Sequence, residues 1–565
     1  MTLDYLIKFN SKLGIETSLK KSNSIIKDSD GNKYLLHIDG KISNLKELEK
    51  ILNLEMKTKK DFLLEAIKKI EDIETFLLGY FVIIFYDYKN ERLKVIRDTR
   101  GTKLVYLRTI GEDFYLSNNL RELIPLDKVT PNIERIKLYL SWMYKDHKDT
   151  FFNEINRLPP SHFLDTSQQR FKVKKFHLNE IIFDEHEGEH IEQFSQILSE
   201  SVKSSYDQGK RLALMLSGGL DSSAIAMATN DLGYQNIKSY SGNFGHIKPS
   251  KKSILDEKSF QKNIISKTSL DHKFIELDKC SPIKAMKESL DIFSEPIAFP
   301  NIYLFLEIAK SAKDDQIDII LDGHDGDVII SHGYEVLFNY LRGLRFLKFF
   351  SEIFSYGQIK GINKFRVSKI FLKPVLVKFF SFFKNPEMVS KGLLNKSFAL
   401  NYKPKGNISN LYRSHKEKIN EPLLTLGNEY RYIFFKSFGI ENRSPLYDEH
   451  FIRFCQKMPS NLKFGGGYTR RILRLFLEPR LGKKHAYRKD KAKLSEGLIK
   501  NFEQKDFEIV RDEYLNIHHD VKSLIDIDKL NSIFTDWENG NILSETSIIE
   551  MMYFYNLNIF MNRFF

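Results

Sequence analysis

Residues 214–223, LMLSGGLDSS, constrain this chain more than any other segment. An apolar run feeds a turn of Ser217, Gly218 and Gly219, and helix-forming residues follow at once. Glycines let a backbone approach an anion closely. The free N–H groups and dipole of a helix start then stabilise its charge. Asp221 stands beside that anion site, where a carboxylate suits Mg²⁺ bridging phosphates, and Ser222 and Ser223 add hydroxyl donors. The lysine of a Walker-type loop is missing, which excludes a P-loop NTPase. An ordinary strand-to-helix turn is the plainer reading of a lone glycine pair.

The context supports a ligand loop. Strands are expected at 212–216, 237–241, 274–277 and 317–321, with helices at 191–202 and 222–230. Strands alternating with helices imply a parallel α/β sheet, whose ligands bind at the carboxyl ends of the strands. Residues 1–180 read differently. Short apolar runs at 34–38, 81–86 and 93–96 each stop at turn residues, as hairpin strands do, with one helix at 45–52 between them. The longest apolar run, 76–86, is broken by Gly79, stops before Asp87 and is too short to span a bilayer as a helix. It reads as a buried strand. Residues 182–190 turn acidic and polar, so two domains are expected, at 1–185 and 186–565.

Composition narrows the class further. Two distant cysteines, Cys280 and Cys455, exclude a disulfide scaffold and a cysteine-ligated structural zinc, and they fit a reducing compartment. The first 13 residues lack the pattern of a secretory signal, so a cytoplasmic protein is expected. The net charge of +13 is the small difference between 87 basic and 74 acidic residues, which implies a local basic zone. That zone is 341–384, with ten Lys/Arg, ten Phe and the single acid Glu352. Three readings stand: a helical cover for the site, a peptide-docking surface, or a membrane-surface helix. Pro374 and the lack of one clean apolar face weigh against the last. Nucleic acid fits poorly, because the phenylalanines lack Tyr-Arg interleaving.

These motifs resemble the pyrophosphate-loop ATPases of the asparagine synthetase B family along most of the chain. In the first domain the matching stretches are HIDGKISNLKELEKIL (37–52), Gly79-Tyr80-Phe81, Asp87, RDTRGTKLVY (97–106) and RLPPSH (157–162). In the second they are SGGLDSS, GHDGD (323–327), IENRSPLYD (440–448), TRRILR (469–474) and RKDK (488–491). The resemblance implies an α+β N-terminal glutaminase-like domain, an Ntn-type α/β/β/α sandwich, followed by an α/β pyrophosphate-loop synthetase domain. One departure matters. The family's glutaminase places a cysteine directly after Met1, and here that residue is Thr2. A threonine there is a poorer nucleophile toward an amide. The domain therefore reads as a glutaminase retained as scaffold, and the nitrogen nucleophile as an amine on the substrate.

Loss of that cysteine is shared by the β-lactam synthetase and lasso peptide cyclase branches. LDGHDGDVIISHG (321–333) is most similar to the cyclases, with SYSGNF (239–244), LDEKSF (255–260) and SEPIAFPN (294–301) as supporting flanks. The branch implies ATP and Mg²⁺ and a precursor core peptide whose Asp or Glu carboxylate is adenylated and then attacked by its own N-terminal amine. It also implies a leader peptidase and a leader-peptide-binding protein as partners. By the same resemblance ATP and pyrophosphate fall to Leu216, Ser217, Gly218, Gly219, Asp221, Ser222, Ser223, Ser241, Gly242, Asp322 and Gly323. The metal falls to Asp221 and Asp327. His324 is the candidate base, Lys491 the cation for pyrophosphate or oxyanion, and Glu441 the group that orients the base or the metal shell. A salt bridge to Arg443 is an equal reading for Glu441, and His332 reads as structural. The rivals are an ammonia-using amidotransferase and a scaffold that has lost catalysis.

Overall fold

The computed structural model describes residues 4–10, 14–21, 24–27, 31–53, 58–144, 147–166, 172–178, 190–245, 257–380, 392–399, 413–489 and 494–565. The N-terminal part is built on two antiparallel sheets. One runs, in spatial order, Lys172–Lys175, His162–Asp165, Arg92–Arg97, Gly79–Asp87, Lys33–Ile42 and Ile25–Lys27. The other runs Gly14–Thr17, Leu6–Asn10, Asp113–Ser117, Tyr106–Ile110 and Ile155–Arg157.

The strand Gly79–Asp87 shows why the layers form. Its side chains alternate, and both faces are apolar. Phe81, Ile83 and Phe85 pack with Phe62, Leu63 and Leu48 of the outer helices Lys59–Lys69 and Leu45–Leu52. Val82, Ile84 and Tyr86 pack with Ile7, Phe9 and Leu116 of the second sheet. Beyond that sheet, Tyr106, Ile136 and Tyr139 join a core that continues into the helices of the C-terminal part. The result is the α/β/β/α order. The expected boundary at 185/186 falls within 179–189, outside the described residues.

The C-terminal part holds five parallel strands: β1 (Leu212–Met215), β2 (Lys238–Asn243), β3 (Asp271–Glu276), β4 (Ile319–Leu321) and β5 (Glu441–Arg443), in the order β3-β2-β1-β4-β5. Both faces carry helices, so β1 and β4 are buried end to end. The chain leaves β1 for β2 and β3 on one side, then crosses back to β4 on the other. The switch point therefore lies between β1 and β4, where such sheets open a crevice. After β1 comes α1 (Leu220–Asp231), and after β4 the short α2 (Gly326–Ile329).

The basic insert forms a helical hairpin, α3 (Phe346–Lys360) and α4 (Lys364–Phe380). Phe349, Ile353, Val367 and Phe371 pack inward against Phe464. Residues 381–391 lie outside the described ones. α5 (Arg471–Leu481) and the last helix, Glu545–Phe564, complete the elements used below.

Candidate functional site

A cleft of about 500 Å³ opens at the switch point, above the carboxyl ends of β1, β2 and β4. Gly218 has φ +79°, and a Cβ there would sit 3.0 Å from the Glu257 Cβ. Both facts require glycine. The Gly218 carbonyl accepts from Arg488 Nη1 at 2.7 Å, and the same nitrogen pairs with Glu257 Oε2 at 2.7 Å. No side chain caps α1 at Gly219, which leaves first-turn amides to serve an anion.

The two glycine loops touch. A Cβ on Gly323 would lie 2.7 Å from the Ser222 amide nitrogen, and one on Gly326 2.6 Å from Asp221 Cγ. This contact brings Asp221, in the first turn of α1, beside Asp327, in the first turn of α2. Asp221 Oδ2 accepts from Arg470 Nη1 at 2.6 Å. Its Oδ1 is buried without a hydrogen-bond partner. The Asp327 side chain is 42% exposed, and His332 Nε2 lies 3.8 Å away. Two carboxylates with an orphaned oxygen form a hard, anionic donor set that fits Mg²⁺. Arg470 sits between them, its charge favoured by both against the cost of burial.

Among the other sequence-predicted residues, Leu216, Ser217, Gly219, Ser222, Gly323 and His324 all lie along the cleft. The hydroxyls of Ser217 and Ser222 are 2.9 Å apart. Ser241 and Gly242 form part of the wall, but the Ser241 hydroxyl is taken up by His272 Nε2 at 2.8 Å. Ser223 is a correction. It is fully buried, donates to the Gly219 carbonyl at 2.6 Å and meets His485 Nε2 at 2.9 Å, so its hydroxyl braces α1 instead of reaching a ligand.

Asp322 is almost fully buried under the second loop. Its carboxylate accepts from Ser444 Oγ at 2.6 Å, Asn442 Nδ2 at 2.8 Å and the His324 amide at 3.0 Å. Burial alone would raise its pKa, yet His324, Arg431 and the hydrogen bonds hold it well below the usual range. The His324 Nδ1 stands 3.3 Å from Asp322 Oδ1, and its ring centroid 5.3 Å from that of Phe305. The carboxylate faces Nδ1 by charge alone, since Nδ1 forms no hydrogen bond, and the ring lies along the cleft.

Of the two readings of Glu441, the structure shows the salt bridge to Arg443 and corrects the catalytic one. Glu441 opens β5 opposite Ile319, at the far end of the sheet from the two loops. There it pairs with Arg443 at 2.8 Å and with Lys103 of the N-terminal part at 3.3 Å. It orients neither base nor metal. Lys491 lies outside the described residues, while Arg488 and Lys489 line the cleft. Burial pushes the His332 pKa down, and its ring stacks on Tyr334.

Sequence reading assigned no role to Arg470, although TRRILR contains it. A signal was present: paired arginines opening a helix two residues beyond the glycine run Gly465-Gly466-Gly467. It also missed the brace behind α2. His415 Nε2 donates to the carbonyls of Val328 and Ile329 at 3.0 and 2.9 Å, so Nδ1 accepts from Lys463 Nζ at 3.2 Å. Burial and Lys463 lower the His415 pKa to about 4, which keeps the ring neutral.

Two acid-bearing glycine loops at the switch point of a parallel sheet, beside an antiparallel two-sheet domain, define a two-domain protein with an anion-binding cleft. Residues 193–427 and 435–561, more than half the chain, match the asparagine synthase family model. The chain belongs to the asparagine synthase family. Residues 19–177 match the glutamine amidotransferase domain. Asparagine synthetase (glutamine-hydrolyzing) 2 of Bacillus subtilis (strain 168) is 26% identical over 224 residues, 35% of this chain and 29% of that one. Amidase chyE of Penicillium rubens is 22% identical over 267 residues, 44% of this chain and 39% of that one. The matches thus span well under half the length of these curated relatives. Among solved structures, the glutamine phosphoribosylpyrophosphate amidotransferase of B. subtilis aligns at TM-score 0.21, with 11% identity, 44% of this chain and 62% of that one. The U34-tRNA thiolase NcsA of Methanococcus maripaludis aligns at TM-score 0.21, with 13% identity, 56% of this chain and 84% of that one.

Proposed function

We propose that the chain is an ATP-dependent, AMP-forming amide ligase, and specifically a macrolactam synthetase of the lasso peptide cyclase kind. The observation that carries the ligase reading is the contact of the two glycine loops, which pairs Asp221 with Asp327 beside first-turn amides of α1. Asp221 and Asp327 would hold Mg²⁺, which supplies charge neutralisation for a departing pyrophosphate. A carboxylate oxygen of an Asp or Glu in the core peptide attacks the α-phosphorus of ATP, and pyrophosphate leaves. The peptide's N-terminal amine then attacks the acyl carbon and loses a proton, and AMP departs. His324, facing the Asp322 carboxylate, accepts that proton. Arg470 and Arg488 supply fixed positive charge on either side of the phosphates. The cyclase reading is supported by the residues 321–333 and by Thr2, which stands where the family's glutaminase has cysteine. The asparagine synthetase relative favours a second reading, in which free ammonia is the nucleophile.

Incubation with ATP, Mg²⁺ and the cognate core peptide is expected to give AMP, pyrophosphate and a product lighter by one water. Aspartate turned into asparagine by ammonia, with no change in peptide mass, would instead establish the second reading. His324→Ala is expected to keep ATP–pyrophosphate exchange and lose about 10²-fold or more in ring closure, with partial rescue at higher pH. Ring closure at the wild-type rate near neutral pH would remove His324 from the role of base.

A further inference from the structure

The basic hairpin is only half explained by its packing. Phe349, Ile353, Val367 and Phe371 face inward, and Tyr356 and Ile359 of α3 reach the cleft. The outer side carries Leu344, Phe346, Leu347, Phe365, Ile370 and Leu376 in solvent, with Leu347 91% and Phe365 81% exposed. A cover needs no such residues. Residues 342–348 are exposed without interruption and alternate Arg342, Arg345 and Lys348 with Leu344, Phe346 and Leu347.

On α4, Phe365, Arg366, Lys369, Ile370, Lys373 and Leu376 share the exposed side. No ion pair compensates Arg342, Arg345, Lys348, Arg366, Lys369 or Lys373 among the described residues. The one acid, Glu352, is turned inward and accepts from the Gly467 amide at 3.0 Å. The surface is therefore cationic throughout and studded with large apolar side chains. On α4 the exposed side lies opposite Val367 and Phe371, which pack inward.

We infer that this side of the hairpin docks the protein reversibly on an anionic lipid bilayer. Apolar side chains insert at the boundary between headgroups and acyl chains, while lysines and arginines pair with lipid phosphates. Charge complementarity selects the occupant. Uncompensated cations demand an extended anionic surface, and interspersed Leu and Phe demand one that accepts hydrocarbon. The inference does not depend on which amide the site forms.

The test is co-sedimentation of the full chain with vesicles of phosphatidylcholine alone, or with roughly one quarter phosphatidylglycerol. Binding is expected only to the anionic vesicles, and it should weaken steeply between about 0.05 M and about 0.5 M salt. A charge-reversed variant, Arg345→Glu, Lys348→Glu, Arg366→Glu and Lys369→Glu, should lose about tenfold or more in partitioning. Leu344→Ser, Leu347→Ser and Phe365→Ser together should weaken binding at both salt concentrations. All these positions are exposed, so unchanged thermal melting is expected and checks the fold. Failure to bind anionic vesicles, equal binding to neutral ones, or undiminished binding by the charge-reversed variant would each overturn the inference. So would capture of a soluble polyglutamate in preference to the vesicles.

Discussion

Arg470 is the residue that ties the anion site together. It has φ +49°, a left-handed conformation that costs a non-glycine residue, and it opens α5 with no side-chain cap. Its guanidinium reaches Asp221, and Arg488 lines the same cleft. It pairs with Asp221 and feels the charge of Asp327, and its guanidinium would offer a fork of donors to phosphate oxygens in the cleft. Arg470→Ala is therefore expected to lower ATP–pyrophosphate exchange about 10²–10³-fold. Arg470→Lys should recover only part, because an ammonium lacks the fork that spans two oxygens. Nucleotide binding measured by calorimetry should fall in parallel, whereas a melting temperature lowered with no loss of binding would make Arg470 a structural group. The acids Asp221 and Asp327 were legible in the sequence because glycines flank them at loop ends. Arg470 was quoted inside a motif, yet nothing local shows that it reaches across the cleft. For Glu441 the motif suggested chemistry and the neighbouring Arg443 a salt bridge; the salt bridge is present, and only its second partner, Lys103, hundreds of residues earlier, had no local signal.

At the scale of elements, the strands were easier to read than their roles. Leu45–Leu52 forms where its apolar spacing requires, and the sheet strands lie within a few residues of the apolar runs. The last helix carried no such signal. Ile548, Met551, Met552, Phe554, Leu557 and Phe560 of Glu545–Phe564 are buried on several sides, so periodicity is blurred. It packs Tyr553 against Tyr139 and Phe560 against Phe151 of the N-terminal part, contacts no local pattern foretells. α2 is the element on which Asp327 depends, and four residues cannot hold a helix by themselves. The His415 bonds to its last carbonyls supply the anchor. His415→Ala removes the donor to two carbonyls and one of the acceptors of Lys463, whose Nζ keeps its bond to the Gln456 carbonyl, at a cost of about 1–3 kcal/mol. The expected readout is a larger loss of Mg²⁺-dependent ATP affinity than of binding to ATP alone. Equal losses would show that α2 keeps its place without the imidazole.

Across the whole molecule the two parts are joined by charge as well as by core. Arg97 is fully buried and pairs with Glu429 at 2.7 Å, and Arg157 joins Glu429 and Glu295 in the same chain of ions. Arg100 grips Glu449 with two nitrogens at 2.9 and 2.8 Å. Lys103 bridges Asp39 and Glu441. Most of these cations sit in the first domain and most of the carboxylates in the second, so acid should weaken their union. Burial would raise the Glu441 pKa, but Lys103 and Arg443 outweigh it and bring it down to about 2. Arg443 and Lys41 do the same for Asp207, also to about 2. A depressed folded-state pKa contributes stability above the unfolded value, about 4, and loses it as pH falls toward the folded one. The half-buried Glu441 is worth at most about 3 kcal/mol in this way, while the more exposed Asp207 contributes less. Unfolding followed by tryptophan fluorescence is therefore expected to set in between about pH 4 and about pH 2. Glu441→Gln removes one of these titrations. It should lower stability at pH 7 and flatten the acid limb, because the amide has no proton to take up. If the variant matches the wild type at neutral pH and melts on the same acid curve, the Lys103–Glu441–Arg443 bridge contributes nothing to holding the two domains together.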